Sequence, residues 1–270
     1  MSVKKDPSGR RSVQAEIEVP GTPEEVWKAI ATGPGISSWF VPTQFDERAG
    51  GDVNACFGPG MDSVSKITEW DPPHRYVAES RDDMGPNDPT VATEWIVEAK
   101  DGGRCIVRVV HRWFTSRDDW DAQFEGHEHG WREFFQILRL YIRDFPGQAG
   151  HCVQLVASST ASKTSAWLAF TGPLGLAGAQ PGQMLSSPAG QPSLAGRVER
   201  VGPPEHAELM LLRLEQPAPG IASLFAMPMG GQVLVLMRMY LFGAGGEAIA
   251  ARVEPQWQSW INANFPSASS

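Results

Sequence analysis

The sequence predicts an α+β fold in which a curved antiparallel sheet wraps a long C-terminal helix, and it predicts that fold twice in one chain. Three observations carry this: self-similarity that keeps its order, a meander of strand-like segments after an early helix, and a long amphipathic stretch closing the first repeat. The 270 residues fit two domains of ordinary size, at roughly 100–200 residues each.

Repeats are sought first, because a missed repeat misassigns the whole fold. Ser12-Val13-Gln14 returns as Cys152-Val153-Gln154, and Val26-Trp27-Lys28-Ala29 as Ala166-Trp167-Leu168-Ala169. Thr32-Gly33-Pro34 returns as Thr171-Gly172-Pro173, and Trp70-Asp71-Pro72-Pro73-His74 aligns with Val201-Gly202-Pro203-Pro204-Glu205. Trp131 then pairs with Trp257, and Phe145-Pro146 with Phe265-Pro266. The spacing shrinks along the chain, so the second copy carries deletions, and a shortened hairpin is expected between Gly172 and Gly196. The Pro146-Gly147 punctuation sets the boundary. An intact domain is expected over 11–147 and a degenerate one over 150–266.

Within the first copy, Val13, Ala15, Ile17 and Val19 alternate with polar residues, the period of a half-buried strand. Thr22-Pro23-Glu24-Glu25 supplies an N-cap, a proline at the first helical position and a capping-box glutamate. The helix it opens carries Val26, Trp27 and Ile30, and is expected to stop at Gly33-Pro34. A helical turn over 36–40 follows, then strands over 43–48, 51–57, 62–70, 75–80, 91–99 and 104–114. On the last of these, Cys105, Val107, Val109, His111 and Trp113 share one face, while Arg104, Arg108 and Arg112 point to the other, read as solvent. A helix starting near Asp118-Asp119 carries Phe124, His127, Trp131, Phe134, Phe135, Leu138 and Ile142 at three- and four-residue spacing. A sheet curled around this helix satisfies every apolar face, which is the helix-grip arrangement.

The formal charge is −8, and 25 of the 31 acidic residues, against 17 of the 23 basic ones, precede Ala149. An acidic chain without a basic stripe excludes nucleic acid as a partner. Lys4, Lys5, Arg10 and Arg11 read as a solvated tail. Cys56, Cys105 and Cys152 are odd in number and far apart, which fits neither a disulfide framework nor a metal clasp. No apolar run approaches the ~20 residues of a membrane span, and the start of the chain lacks a secretory apolar segment. No membrane insertion and a cytoplasmic location are expected.

Thr22-Pro23-Glu24-Glu25-Val26-Trp27, Ser38-Trp39-Phe40, Gly50-Gly51-Asp52-Val53, Trp70-Asp71-Pro72-Pro73-His74-Arg75 and His129-Gly130-Trp131 together resemble the SRPBCC (START-like) superfamily. More narrowly, they resemble its branch of homologues of the activator of the heat-shock-protein-90 ATPase. The resemblance implies a deep, mostly apolar cavity between the long helix and the sheet. It leaves the function open, because one fold hosts many sites.

Strand parity and helix phase then name the cavity wall: Trp95, His111 and Trp113, with Cys105 and Val107, from strands, and His127, Trp131, Phe134, Phe135 and Leu138 from the helix. Trp39, Phe40, Phe57 and Tyr76 are expected at the rim. Such a wall favours flat apolar or aromatic ligands, although each residue would serve equally as plain core. His111, between Val109 and Trp113 on an apolar face, needs a partner. His127 and His129 are two apart on a helix and diverge, HExxH spacing is absent, and neither metal nor cofactor is expected. Asp82 and Asp83 read as a solvated pair, and no nucleophile or phosphate-binding loop is present.

The expected function is non-catalytic binding of a small hydrophobic or aromatic molecule by a carrier, sensor or sequestering protein. The alternatives are a polyketide aromatase/cyclase-like enzyme using the same cavity, and a chaperone ATPase co-factor, the last on the resemblance alone. In the second copy the Val/Leu/Met-rich segment from Gln232 to Tyr240 reads as a strand buried on both faces. That copy is expected to pack on the first or on a second chain.

Overall fold

A computed structural model describes residues 4–5, 10–58, 62–80, 90–114 and 119–266; the side chains of Lys5, Arg10, Phe114 and 119–129 lie outside that description. The chain divides into two compact units, Met1–Gly147 and Gln148–Ser270.

In the first unit the order is β1 (Lys4–Lys5), β2 (Arg10–Pro20), α1 (Pro23–Ile30), α2 (Gly33–Ser37), β3 (Thr43–Phe45), β4 (Asp52–Cys56), β5 (Asp62–Asp71), β6 (Arg75–Ser80), β7 (Val91–Lys100), β8 (Arg104–Phe114) and α3 (Asp119–Asp144). The eight strands form one sheet in the order β1-β2-β8-β7-β6-β5-β4-β3. Every pairing is antiparallel. α3 packs across the sheet against β2 and against α1. This is the helix-grip architecture.

α1 begins as its sequence dictates, with the Thr22 hydroxyl accepting from the Glu25 amide at 3.3 Å and the Glu25 carboxylate accepting from the Thr22 amide at 2.9 Å. It ends earlier than expected, at Ile30, and Gly33-Pro34 opens α2 instead of merely closing α1. The reason is Thr32, whose hydroxyl caps the new helix by accepting from the Gly35 amide at 3.0 Å. Gly35 allows α2 to fold tightly onto α1, since a Cβ there would lie 1.8 Å from the Lys28 carbonyl oxygen.

Of the basic start, Lys4 is exposed, as a solvated tail would be, but Arg11 departs from that reading. Lys4 and Lys5 pair with Ser12 and Arg11 as an edge strand, and Arg11 is only 6% exposed. Register explains this: Arg11 stands opposite Trp113, and residues directly opposite share a face, so Arg11 belongs to the inner side of the sheet.

The outer face of the first sheet is tied by ion pairs. Glu18 meets Lys100 at 2.9 Å and Arg104 at 2.6 Å, while Arg108 meets Glu16 at 2.9 Å and Glu98 at 3.2 Å. Glu94, 5% exposed, is gripped by Arg75 and Arg112, and Arg75 also holds Glu69. The arginine face is therefore not freely solvated, and one of its members, Arg112, joins Arg75 of β6 in covering a buried carboxylate.

The second unit runs β9 (His151–Ser159), α4 (Lys163–Thr171), β10 (Met184–Ser186), β11 (Ala195–Val201), a 3₁₀ turn at Pro204–His206, β12 (Leu209–Gln216), β13 (Gly220–Met229), β14 (Gln232–Leu241) and α5 (Gly246–Asn264). Its sheet order, β10-β11-β12-β13-β14-β9, repeats β4-β5-β6-β7-β8-β2 strand for strand. β10 stands where the first unit has a hairpin, as the Gly- and Pro-rich stretch led one to expect. Val153, Leu155, Phe170, Met210, Leu212, Met237, Met239 and Trp257 belong to one buried apolar core. β14 is buried on both faces from Val235 to Leu241. On its far side Arg238 donates to the Gln154 side chain at 2.6 Å and lies over the Phe225 ring.

Candidate functional site

The inner face of the first sheet can be read rung by rung from the register. One rung aligns Ala15, Val109, Trp95 and Tyr76, and the next aligns Val13, His111, Thr93 and Ala78. A third aligns Arg11, Trp113, Val91 and Ser80. The face thus grades from an aromatic floor to a polar end, where Arg11 and Ser80 are both buried. From α3, Trp131 meets Trp95 and His111 on this face, and Phe135 meets Trp95.

The aromatic rings form one continuous network. Trp131 stacks on Phe40 with centroids 5.0 Å apart and meets Trp95 edge-on at 5.0 Å. Trp95 in turn touches Trp39 and stacks with Tyr76, each at 6.2 Å, and meets Phe135 at 6.1 Å. Phe134 and Phe57 join through Phe40 at 4.5 and 5.4 Å. These offset and edge-on geometries are the favoured ones for ring pairs.

Trp39 and Tyr76 are not rim residues. Both are buried, because the Trp39 indole donates to the Ala29 carbonyl at 2.8 Å and the Tyr76 hydroxyl donates to the Ile30 carbonyl at 3.3 Å. They are clasped to the end of α1, and burial pushes the Tyr76 phenol well above its ordinary pKa. Phe40 is likewise buried, leaving Phe57, Trp131 and Phe134 as the half-buried members. Trp113 packs with Val13 and Val91 at the polar end, and Leu138 is fully buried further along α3. The side chain of His127, and the Asp82-Asp83 pair, lie outside the described residues.

His111 is bonded on both ring nitrogens, as its burial requires. The Trp131 indole N–H points at Nε2, and Nδ1 lies 2.9 Å from the Thr93 hydroxyl. An indole nitrogen only donates, so Nε2 accepts and the ring proton of a neutral imidazole resides on Nδ1, facing Thr93. The His111 and Trp131 rings are also stacked at 5.9 Å. The result is a side-chain bond that joins β8 to α3 through the middle of the aromatic network.

Thr93 escaped the sequence reading. A signal for it exists in the Asp101-Gly102-Gly103 turn, where both glycines adopt positive φ and Lys100 pairs with Arg104. Counting back along that ladder places Thr93 opposite His111. Arg11 and Ser80 were missed for the same reason, since their faces follow from pairing and not from their neighbours in sequence.

A curved sheet gripping a long helix over an apolar, aromatic interior defines a helix-grip protein of the SRPBCC type. The sequence model of the family described as "Polyketide cyclase / dehydrase and lipid transport" matches residues 10–140, most of the N-terminal unit. No curated protein matches the chain. Among solved structures it is similar to the di-domain ARO/CYC BexL from the BE-7585A biosynthetic pathway, at 12% identity over 94% of this chain and 96% of that one, with a TM-score of 0.45. DynU16, a putative protein in the dynemicin biosynthetic locus, is 15% identical over 94% and 96%, with a TM-score of 0.43. The Aha1 dimer from Colwellia psychrerythraea is 19% identical over 50% of this chain and 98% of that one, with a TM-score of 0.41.

Proposed function

We propose that the first unit binds a small hydrophobic or aromatic molecule between α3 and the inner face of its sheet, without transforming it. The observation that carries this reading is the continuous aromatic network from Phe57 through Phe40, Trp131 and Trp95 to Tyr76, half-buried at one end and buried at the other. A flat ligand gains contact on each ring it slides against, and Trp131, Phe134 and Phe57 are the side chains that part to admit it. The family description, which covers both cyclases and lipid transport, supports an apolar ligand of this kind. The test is native mass spectrometry of the full chain after incubation with cell extract. A small molecule retained by the native protein and lost from Trp131→Ala is the expected result; retention unchanged in the variant counts against this site.

A second reading, a cyclase-like enzyme, draws on His111, a neutral imidazole in the same interior. If the indole of Trp131 moved aside, Nε2 would be placed to take a proton from a bound polyketone. Turnover of a polyketide-like substrate that falls by about 10²-fold or more in His111→Ala is expected on that reading. Full activity in the variant removes it.

A further inference from the structure

A sheet edge presents a row of backbone N–H and C=O groups, and proteins blunt such edges with short strands, charged residues, proline or bulges. Among the described residues, three of the four edges are blunted by length, since β1, β3 and β10 are only two or three residues long. The fourth edge is β9, which pairs with β14 over nine consecutive residues without a bulge. From His151 to Ser159 it holds no charged residue and no proline. It is a long, regular edge that carries none of the usual protection.

The two copies differ at this strand in both cover and charge. β2, the counterpart of β9, is paired on its far side with β1 and carries Glu16 and Glu18 on the outer face. Register sets Glu16 against Arg108 and Glu18 against Ile106; at the same rungs of the second sheet Val156 stands against Leu236 and Ser158 against Leu234. Both carboxylates are therefore missing from β9, and no strand pairs with its far side among the described residues. The rung of Ser158 continues through Leu234 to Met227, which is 42% exposed, so apolar surface borders the edge. Charge points the same way. The first unit carries the whole acidic excess, whereas six acids and six bases follow Gln148. Two copies of an acidic chain meet with least repulsion at their neutral units.

We infer that β9 is a self-association edge, on which β9 of a second copy lies antiparallel and joins the two second sheets into one. Such pairing is isologous: the same residues meet across a two-fold axis, so association closes at the dimer and does not propagate. Backbone groups along the edge exchange water for a ladder, as in strand addition generally. The uncharged side chains suit a like strand in particular, because charged ones would set like charges opposite one another across the axis. The inference is independent of ligand binding by the first unit.

Sedimentation velocity of the full chain over about a hundredfold dilution tests this, and a dimer that dissociates on dilution is expected. The double variant Val156→Glu/Ser158→Glu places on β9 the carboxylates that β2 carries at the same rungs, and should weaken the dimer about tenfold or more by setting like charges near the axis. Its uncharged match, Val156→Gln/Ser158→Gln, should weaken it far less, and circular dichroism establishes that both are folded. Ser158→Glu alone, at an exposed position, keeps the charge test available if the double variant does not fold. Gln44→Glu, exposed on the edge strand β3, should leave the dimer intact. Hydrogen exchange should protect the β9 amides more in concentrated than in dilute solution. A chain that is monomeric at every concentration overturns the inference, as does a dimer that is unaffected by the folded Glu variants or equally weakened by Gln44→Glu. Protection of β9 by a different protein, while the chain alone stays monomeric, assigns the edge to that partner and also overturns it.

Discussion

Glu94 illustrates what a single residue contributes when its partners lie on other strands. Burial alone raises its carboxyl pKa, but the hydrogen bonds from Arg75 and Arg112 outweigh burial and hold it below the ordinary carboxylate value. A carboxylate with a depressed folded pKa stabilises the fold above its unfolded pKa of about 4 and loses that contribution as pH falls through the folded value. Glu94→Gln is therefore expected to lower stability by about 1–3 kcal/mol at neutral pH. It should also flatten the acid limb of the stability curve, which urea titrations from pH 7 to pH 3 will read; an unchanged acid limb refutes the assignment. The cysteines make a second case. Burial pushes the Cys152 thiol up to about 12 and also raises Cys105, whereas Cys56 is exposed. Alkylation at pH 8 followed by peptide mapping should label Cys56 well before the other two. At this scale the inward face of His111 was legible from its apolar neighbours Val109 and Trp113. Thr93, Arg11 and the Glu94 cage were not, because each depends on which residue stands across the ladder.

Among the elements, those with signals local in sequence were read best. The Thr22 capping box, the alternation of β2 and β8, and the Gly102-Gly103 turn all encode their structure within a few residues. Gly33-Pro34 reads as a helix stop but opens α2, since Gly-Pro suits either role and only the cap made by Thr32 distinguishes the two. Gly35→Ala is expected to cost about 3 kcal/mol or more, the upper end for overpacking, because its methyl would meet a backbone carbonyl that cannot swing aside. Thr22→Ala should cost about 1 kcal/mol, the usual worth of an N-cap. Thermal unfolding of the two variants ranks them, and a Gly35→Ala shift no larger than that of Thr22→Ala would contradict the close approach.

For the whole molecule, the two repeats differ chemically once their sheets are compared by register. Val13 of the first unit pairs with His111, which pairs with Thr93; Val153 of the second pairs with Met239, which pairs with Ala222. The polar pair is thus replaced by Met239 and Ala222, while Trp131 finds its repeat in Trp257, buried in the apolar core. Native mass spectrometry after incubation with cell extract is expected to count about one ligand per chain, because Trp131 is half-buried whereas its counterpart Trp257 is closed into the core. Trp257→Ala should destabilise the chain by about 3–5 kcal/mol, the cost of truncating a buried aromatic ring. Two ligands per chain would show that the second interior is also a site.

The sequence by itself determined the repeat, the element types, the curled sheet around a long helix, and the inward face of each well-alternating strand, because all of these follow from periodicities and caps that act over a few residues. Tertiary structure decided which residues meet. Strand register placed Thr93 behind His111 and Arg11 inside the sheet, and the seating of α3 brought Trp131 onto Nε2. The physical reason is that a side chain's hydrogen-bond partner is set by position across the sheet and between elements, where sequence distance carries little information.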